Sequence, residues 1–208
     1  MNPPAGAGTL VLVVGPSGAG KDTLIAIARD LLAGDSRIAF PRRIVTRQSS
    51  AAEDHDTLAP GEFVAAVRRG ALAFWWEAHG LNYGIPARVN DELRDGKTVV
   101  CNVSRTVVAH LRRRYPACRV VLVDAPRAVR EARIRARSRN ADGDTLRRLD
   151  RSVESVAPLA PDLVIDNTGD PQAGGRALAE ILLAAAGARQ DLPPGARGTI
   201  AVRALATE

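Results

Sequence analysis

A short glycine-rich loop between an apolar run and a helical pattern restricts the fold of this chain more than any other feature. Residues 10–14 (LVLVV) are continuously apolar, which is typical of a strand buried on both faces of a sheet. Residues 15–21 (GPSGAGK) follow at once, fit the pattern G-x-x-x-x-G-K, and open a helix predicted over residues 21–32. In a loop of this kind, backbone N–H groups turn inward around a phosphate and the lysine reaches the outer phosphates. The residues thus predicted to bind a nucleotide are Gly15, Pro16, Ser17, Gly18, Ala19, Gly20 and Lys21.

The residue after the loop lysine departs from the usual pattern. A serine or threonine at this position commonly ligates the Mg²⁺ held between the nucleotide phosphates. Here Asp22 takes that place and Thr23 follows it. Either the Thr23 hydroxyl binds the metal or the Asp22 carboxylate holds it through a water, and an aspartate also suits the first turn of any helix. Our working hypothesis is that Thr23 is the metal ligand, with both residues kept as metal and nucleotide candidates.

Strand and helix patterns alternate along most of the remaining chain. Strands are predicted at residues 43–46, 72–77, 81–84, 98–103, 119–124 and 163–166. Helices are predicted at residues 61–69, 86–95, 105–115, 126–137, 145–156 and 171–186, and residues 49–57 are predicted as a polar loop. This order predicts an α/β fold in which a central parallel sheet is covered by helices on both faces. The predicted domain spans residues 9–186, between a flexible N-terminus (1–8) and a C-terminal extension (187–208) in which a possible strand at 199–202 is given no role.

Composition excludes several classes of protein. The chain has 208 residues, of which 46% are hydrophobic, enough for one domain with one core. No apolar run reaches the ~18 residues that a membrane span needs, and the first residues, MNPPAGAGTL, lack the basic segment of a signal peptide. We therefore expect a cytoplasmic protein without a membrane partner. Cys101 and Cys118 are expected to be reduced thiols in the core.

The formal net charge of +6 favours an anionic partner. Only two of the 29 basic residues, Lys21 and Lys97, are lysines, so arginine is the default surface cation of this chain. An arginine cluster is therefore weak evidence for a site. Lysine is rare in this chain, so a lysine in the phosphate loop is stronger evidence. The sequence lacks the interleaved aromatic and arginine residues of a nucleic-acid platform. Composition alone does not choose the class of anionic partner, but the missing platform makes us expect no nucleic acid.

From residue 10 to about residue 183 the chain resembles the guanylate-kinase-like branch of the nucleoside monophosphate kinases. Thr46-Arg47, the Asp-His-Asp triplet at residues 54–56 and the run WWEAHGLNYG at residues 75–84 resemble the acceptor-binding segment of that branch, here about residues 43–84. Residues 135–140 and 147–149 resemble its arginine lid, here about residues 135–148. The resemblance implies a P-loop kinase with a small acceptor-binding insertion, a lid, and ATP and Mg²⁺ as cofactors.

Four departures from the guanylate kinases concern the acceptor site. Ser50 stands where those enzymes have a second arginine on the acceptor phosphate, and His55 stands in place of a tyrosine. Ile85 replaces a serine near the guanine edge, and Ser104 replaces an aspartate that holds the base. A guanine site needs buried hydrogen-bond acceptors, since each donor left unpaired costs about 1–3 kcal/mol. Recognition of guanine is therefore expected to be lost.

A more specific resemblance accounts for these departures. The combination of GPSGAGKD at residues 15–22, Thr46-Arg47, the Asp-His pair at residues 54–55 and NVSR at residues 102–105 is similar to the ribose 1,5-bisphosphate phosphokinases of phosphonate catabolism. It implies transfer of the γ-phosphate of ATP to the 1-phosphate of ribose 1,5-bisphosphate, which gives 5-phosphoribosyl 1-diphosphate (PRPP) and ADP. A phosphorylated sugar is then the expected substrate, and the oligomeric state stays open, with a homodimer as one alternative.

The resemblance also implies roles for individual residues. Lys21 is assigned to catalysis together with Arg137 and Arg148 of the lid, and Arg139 is assigned to the nucleotide. Because the carboxyl ends of parallel strands face the ligand crevice, Arg47 is the first candidate for an acceptor phosphate, and Arg105 is the second. The further acceptor-binding candidates are His55, Glu77, Tyr83, Asn102 and Ser104.

Two alternatives stay open on the sequence alone. A nucleoside monophosphate kinase with relaxed base preference would release ADP with GMP or another nucleotide. An interaction domain that has lost catalysis would not bind ATP, and the intact glycines and Lys21 argue against it.

Overall fold

The computed structural model describes residues 8–48, 55–78, 80–138, 160–187 and 202–204. Within them the strands are β1 (Thr9–Val14), β2 (Ile38–Ala39), β3 (Arg43–Val45), β4 (His55–Thr57), β5 (Leu72–Ala78), β6 (Leu81–Pro86), β7 (Thr98–Asn102), β8 (Cys118–Asp124), β9 (Leu163–Asp166) and β10 (Val202–Ala204). The helices are α1 (Lys21–Leu31), α2 (Pro60–Arg68), α3 (Val89–Arg94), α4 (Val108–Arg114), α5 (Arg127–Ser138) and α6 (Pro171–Ala185). The predicted helix at residues 145–156 lies outside the described residues.

The described strands form two sheets, of which the larger is the central one. Its order is β10-β9-β8-β1-β7-β2, and each neighbouring pair is parallel except β9 and β10. Helices cover both faces of the sheet. The predicted α/β fold with a central parallel sheet is therefore confirmed.

The apolar run of β1 is buried on both faces, as predicted. Val11 and Val13 belong to the core beneath α1 and α6, whereas Leu10, Leu12 and Val14 belong to the core on the opposite face. None of these five side chains is more than 1% exposed. Since β1 pairs with both β7 and β8, its carboxyl end is fixed in the middle of the sheet.

Helix α1, which carries the glycine-rich loop at its N-terminus, packs closely against α6. A methyl group at Gly175 would lie 2.3 Å from Cγ2 of Ile27, and one at Gly174 would lie 2.8 Å from Cδ2 of Leu24. Two glycines in α6 therefore let the helix axes approach. Asp170 caps α6 by accepting a hydrogen bond of 3.0 Å from the backbone N–H of Gln172.

The smaller sheet has the order β4-β3-β6-β5, and its strands lie between residues 43 and 86, the part of the chain predicted to bind the acceptor. Strand β3 is parallel to β4 and antiparallel to β6, which forms an antiparallel hairpin with β5. Phe74 and Trp76 of β5 are each 6% exposed and pack into the same core as Leu12 of β1. This contact attaches the smaller sheet to the central one.

Within the described ranges, every helix is either too short or too polar to span a membrane.

Several predicted boundaries are wrong. Residues 55–57, predicted as loop, form β4, and the two-residue strand β2 was not predicted. The helix predicted from residue 86 begins at Val89, because β6 continues to Pro86. The described part of the C-terminal extension contains β10, which pairs with β9 and so forms one edge of the central sheet. Cys101 is buried and Cys118 partly buried, and both are free thiols, as expected.

Candidate active site

The glycine-rich loop joins the carboxyl end of β1 to α1. Gly15, Gly18 and Gly20 have φ values of 151°, 79° and 96°, which residues with side chains rarely adopt. A methyl group at Gly15 would also lie 2.1 Å from the carbonyl oxygen of Val123 in the neighbouring strand β8. The loop can therefore curl at the centre of the sheet only because glycine occupies these positions.

Lys21 lies across this loop at the first position of α1. Its Nζ donates hydrogen bonds to the carbonyl oxygens of Gly15, at 2.8 Å, and Pro16, at 3.1 Å. Gly20 is the N-cap of α1 and provides no side-chain cap, so the first N–H groups of the helix have no side-chain acceptor there. A cation and a helix N-terminus thus face the same loop, which suits a bound phosphate.

Two side chains from other elements hold the outer backbone of the loop. Asn167, which follows β9 and is 2% exposed, donates from Nδ2 to the carbonyl oxygen of Ala19 at 2.7 Å. Arg133 of α5 donates to the same carbonyl at 3.4 Å and to the carbonyl oxygen of Asn167 at 2.8 Å. Neither residue was predicted as part of the site. These contacts fix the loop from behind and leave its inner N–H groups to a ligand.

Asp22 connects the loop helix with the central and the smaller sheet. Its Oδ1 accepts a hydrogen bond of 2.7 Å from Nδ2 of Asn102, at the carboxyl end of β7. The same oxygen lies 3.9 Å from a guanidinium nitrogen of Arg43, the first residue of β3. The structure therefore brings together the predicted residues Asp22 and Asn102, and adds Arg43, which was not predicted.

The acidic and polar residues at this place suit Mg²⁺. Among the described residues, no group of three or more His, Cys, Asp or Glu side chains could hold a metal by itself. Magnesium, however, is usually bound by one or two carboxylates together with nucleotide phosphates. The Asp22 carboxylate faces the crevice between β7 and β3, whereas Thr23 is exposed on α1. This donor set fits a magnesium ion shared with a nucleotide.

Arg47, the predicted acceptor-phosphate residue, follows β3 and is fixed through its backbone. Its carbonyl oxygen accepts hydrogen bonds from Nε2 of His55 at 3.1 Å and from the Thr57 hydroxyl at 3.0 Å. His55 was predicted to lie in a loop and to bind substrate, but it lies in β4 and is only 1% exposed. The structure thus places the His55 ring behind Arg47, where it holds the backbone of that arginine.

Of the other predicted acceptor residues, some lie near the crevice between β7 and β3. Tyr83 in β6 stacks on Trp76, with ring centroids 5.4 Å apart, and lies beside Arg43. The Ser104 hydroxyl accepts a 3.3 Å hydrogen bond from the backbone N–H of Thr106, so it caps the turn that starts at Arg105. Glu77 is exposed in β5, opposite Asn82.

The lid lies largely outside the described residues. Arg137 is in α5, but its side chain is outside the described part, as are Arg139 and Arg148. Ser50, which was noted as a departure in the acceptor segment, also falls outside it. The predicted roles of these residues stay predictions.

Comparison with known proteins identifies the family. No family profile matches the chain. A ribose 1,5-bisphosphate phosphokinase of Bradyrhizobium diazoefficiens is 47% identical over 177 residues, which cover 85% of this chain and 89% of the relative. The corresponding enzyme of Rhodopseudomonas palustris is 50% identical over the same coverage. The chain belongs to the ribose 1,5-bisphosphate phosphokinase family.

The fold of this family member is that of the guanylate kinases. The crystal structure of guanylate kinase from Anaplasma phagocytophilum superimposes with a TM-score of 0.64 over 85% of each chain. The sequence identity is 17%, so this likeness concerns the fold alone. The resemblance stated from the sequence is confirmed at both levels, the family and the P-loop kinase fold.

The residues that were missed carried only weak signals in the sequence. Arg43 is one of many arginines, and a residue at the start of a strand is not expected at a ligand crevice. Asn167 does follow a strand of the central sheet at its carboxyl end, where ligand residues of parallel sheets gather. That position was the one available signal for a residue that supports the phosphate loop.

Proposed function

We propose that the protein transfers the γ-phosphate of ATP to the 1-phosphate of ribose 1,5-bisphosphate and produces 5-phosphoribosyl 1-diphosphate and ADP. The observation that carries this proposal is the junction of three elements at Asp22. There the N-terminus of the phosphate-loop helix meets Asn102 of the central sheet and Arg43 of the smaller sheet (β4-β3-β6-β5), which we call the acceptor sheet. A donor phosphate on the loop and an acceptor on the smaller sheet would meet at this junction. The names of the 47–50% identical relatives supply the identity of the acceptor.

The reaction needs no general base. The second pKa of a phosphate monoester is ~6, so the acceptor phosphate is mostly dianionic at neutral pH. One of its oxygens attacks the γ-phosphorus of ATP, a new P–O bond forms, and the bond from the γ-phosphorus to the β–γ bridging oxygen breaks. The bridging electron pair leaves with ADP. Catalysis then depends on in-line positioning and on neutralising the charge of the transferred group.

The donor side of the site consists of the loop and its lysine. The loop N–H groups and the helix N-terminus would hold the β- and γ-phosphates, and Lys21 would leave the carbonyl oxygens of Gly15 and Pro16 to bind the outer phosphate oxygens. Mg²⁺, when bound, supplies charge neutralisation at the β- and γ-phosphate oxygens. The contacts of Asp22 with Asn102 and Arg43 favour Asp22 over the exposed Thr23 as the residue nearest the metal.

The acceptor side combines cations with hydrogen-bonding groups. Arg47, whose backbone is held by His55 and Thr57, would bind one phosphate of the sugar, and Arg105 the other. Glu77 and Tyr83 line the acceptor sheet beside them and would serve the sugar hydroxyls. Arg137, Arg139 and Arg148 would close over the transferred phosphate from the lid.

The runner-up is a nucleoside monophosphate kinase, because Glu77 and Tyr83 of the guanylate-kinase pattern are retained. Against it stands Ile85, which is 1% exposed and packs into the core, so it offers no polar group to a base. Guanine would leave hydrogen-bond donors unpaired at that edge, at a cost of about 1–3 kcal/mol each.

The test is ADP release from ATP and Mg²⁺ with ribose 1,5-bisphosphate, run beside GMP and dGMP at equal concentration. Phosphorus NMR of the product mixture should show a new diphosphate signal with the sugar and none with the nucleotides. Turnover with GMP alone would refute the proposal in favour of the nucleotide kinase. Absence of both turnover and ATP binding would favour a domain that has lost catalysis.

A further inference from the structure

Arg43 is a largely buried cation in the acceptor sheet, and neither a motif nor the family resemblance gave it a role. Its side chain is 14% exposed. The guanidinium lies 3.9 Å from Oδ1 of Asp22 and over the ring of Tyr83, 5.6 Å from the ring centroid. Because desolvating a guanidinium is costly, a cation is rarely placed this deep unless anions face it. The Asp22 carboxylate is one such anion, and a phosphate bound at this place would be a second.

Arg43 lies between the phosphate loop, which would bind ATP, and the acceptor sheet, which would bind the sugar phosphate. Asp22 is the residue after Lys21, so its carboxylate marks the edge of the phosphate loop. Asn102 holds this carboxylate from the central sheet at 2.7 Å, while Arg43 faces it from β3. A phosphate bound to the acceptor sheet would therefore meet a phosphate held by Lys21 close to Arg43.

A row of aromatic rings fixes the place of the Arg43 side chain. Tyr83, under the guanidinium, stacks on Trp76 with an angle of 8° between the ring planes. Trp76 stacks in turn on Phe74, with ring centroids 6.5 Å apart, and Phe74 contacts the edge of Tyr115 at 6.0 Å. Since this row continues into the core, the surface on which Arg43 lies is rigid. Its guanidinium is therefore oriented before any substrate arrives.

We propose that Arg43 binds the reacting phosphate of the acceptor, the one that receives the γ-phosphoryl group. This inference rests on the proposed function. Two anionic groups have to approach one another for the transfer, and a guanidinium beside both lowers their repulsion. Its planar N–H groups can bind two phosphate oxygens through parallel hydrogen bonds, a geometry that a lysine ammonium does not offer. Arg43 then exchanges its contact with Asp22 for one with the acceptor.

The neighbouring residue supplies a matched control. Arg42 carries the same charge, but its side chain is 50% exposed and pairs with Asp56 of β4 at 3.2 Å. It also donates to the backbone carbonyl of His55 at 3.1 Å, a contact that does not involve the ring that holds Arg47. The experiment compares Arg43→Gln, Arg43→Lys and Arg42→Gln. It measures kcat and KM for ribose 1,5-bisphosphate at saturating ATP and Mg²⁺, KM for ATP, binding of ribose 1,5-bisphosphate without ATP by calorimetry, and Tm.

Arg43→Gln should lower kcat/KM for the sugar bisphosphate by roughly 10- to 150-fold, the range for a hydrogen bond to a charged group, with KM for ATP unchanged. Arg43→Lys should recover only part of this loss. Because it keeps a cation beside Asp22, it is the variant that tests the inference if Arg43→Gln does not fold. Arg42→Gln should behave like the wild type. Equal losses in the Arg42 and Arg43 variants, or a loss confined to KM for ATP, would overturn the inference.

The wild-type protein in the same assay separates this inference from the proposed function. If the wild type does not turn over ribose 1,5-bisphosphate, the proposed function is wrong. If it does and Arg43→Gln is as active, only the role of Arg43 is wrong.

Discussion

Replacing Asn167 with alanine tests whether the phosphate loop depends on the residue behind it. The side chain is 2% exposed and donates the 2.7 Å hydrogen bond to the Ala19 carbonyl. Alanine leaves that carbonyl with the 3.4 Å contact from Arg133 alone. Loss of one partner of a buried hydrogen bond costs about 1–3 kcal/mol of the free energy of unfolding. For a domain of this size, Tm should fall by roughly 2–12 °C.

The same substitution should also weaken nucleotide binding. The loop must hold one conformation to present its N–H groups to the phosphates, and Asn167 is a main support of that conformation. If about 1.4 kcal/mol of the lost free energy falls on the bound state, KM for ATP rises about tenfold. Asn167→Asp, which keeps the size but places an acceptor oxygen against the Ala19 carbonyl, should be worse than alanine. Thermal unfolding and steady-state kinetics with varied ATP measure both effects.

Asn90 provides the control. It is 6% exposed, and its Oδ1 accepts a 3.0 Å hydrogen bond from the Tyr115 hydroxyl, far from the glycine-rich loop. Asn90→Ala should lower Tm to a similar degree and leave KM for ATP unchanged. If Asn167→Ala shifts KM for ATP no more than Asn90→Ala does, the reasoning about the loop is refuted.

Three further predictions concern the loop residues and the thiols. Lys21→Ala should lower kcat by about 10²–10³-fold, the range for losing one donor to a transition-state anion, with little change in Tm; a smaller loss than that of Asn167→Ala would contradict it. Asp22→Asn should raise the Mg²⁺ concentration needed for half-maximal rate more than Thr23→Ala does, and the reverse order would support the threonine hypothesis instead. Burial raises the pKa of the Cys118 thiol to about 11 and raises that of Cys101 further. At pH 8, alkylation followed by mass spectrometry should therefore label native Cys118 slowly and Cys101 only after unfolding, and rapid labelling of Cys101 would show that it is not buried.

The central sheet was predictable because its signals are local. Three features adjoin one another in the sequence: the apolar run of β1, the glycines after it and the lysine that opens α1. Together they predict a buried strand, a phosphate loop and a helix without any information on distant residues. Strand β7 shows nearly the same continuous burial, whereas β8 and β9 are buried only in part. All three strands alternate with helices, which favours a parallel sheet.

The rest of the fold could not be predicted in this way. Strand β4 consists of His55, Asp56 and Thr57, which have no apolar alternation, and it is a strand only because it pairs with β3. The burial of His55 follows from the same pairing. The Asp22 junction joins residues 22, 43 and 102, which no local pattern relates, and the arginine bias of the chain conceals Arg43 among its many arginines.

The balance of donors and acceptors at the crevice is an argument for a phosphate-rich acceptor over a nucleobase. A guanine edge presents N–H donors and requires acceptors, whereas phosphate requires donors and cations. Here Ile85 is withdrawn into the core, and the Ser104 hydroxyl accepts from the backbone of Thr106. Arg43 and Arg47 stand on the acceptor sheet, so the fixed groups there are mainly cationic donors. A sugar with two phosphates satisfies these donors, while a guanine base would find the Glu77 carboxylate but no further acceptor at Ile85 or Ser104.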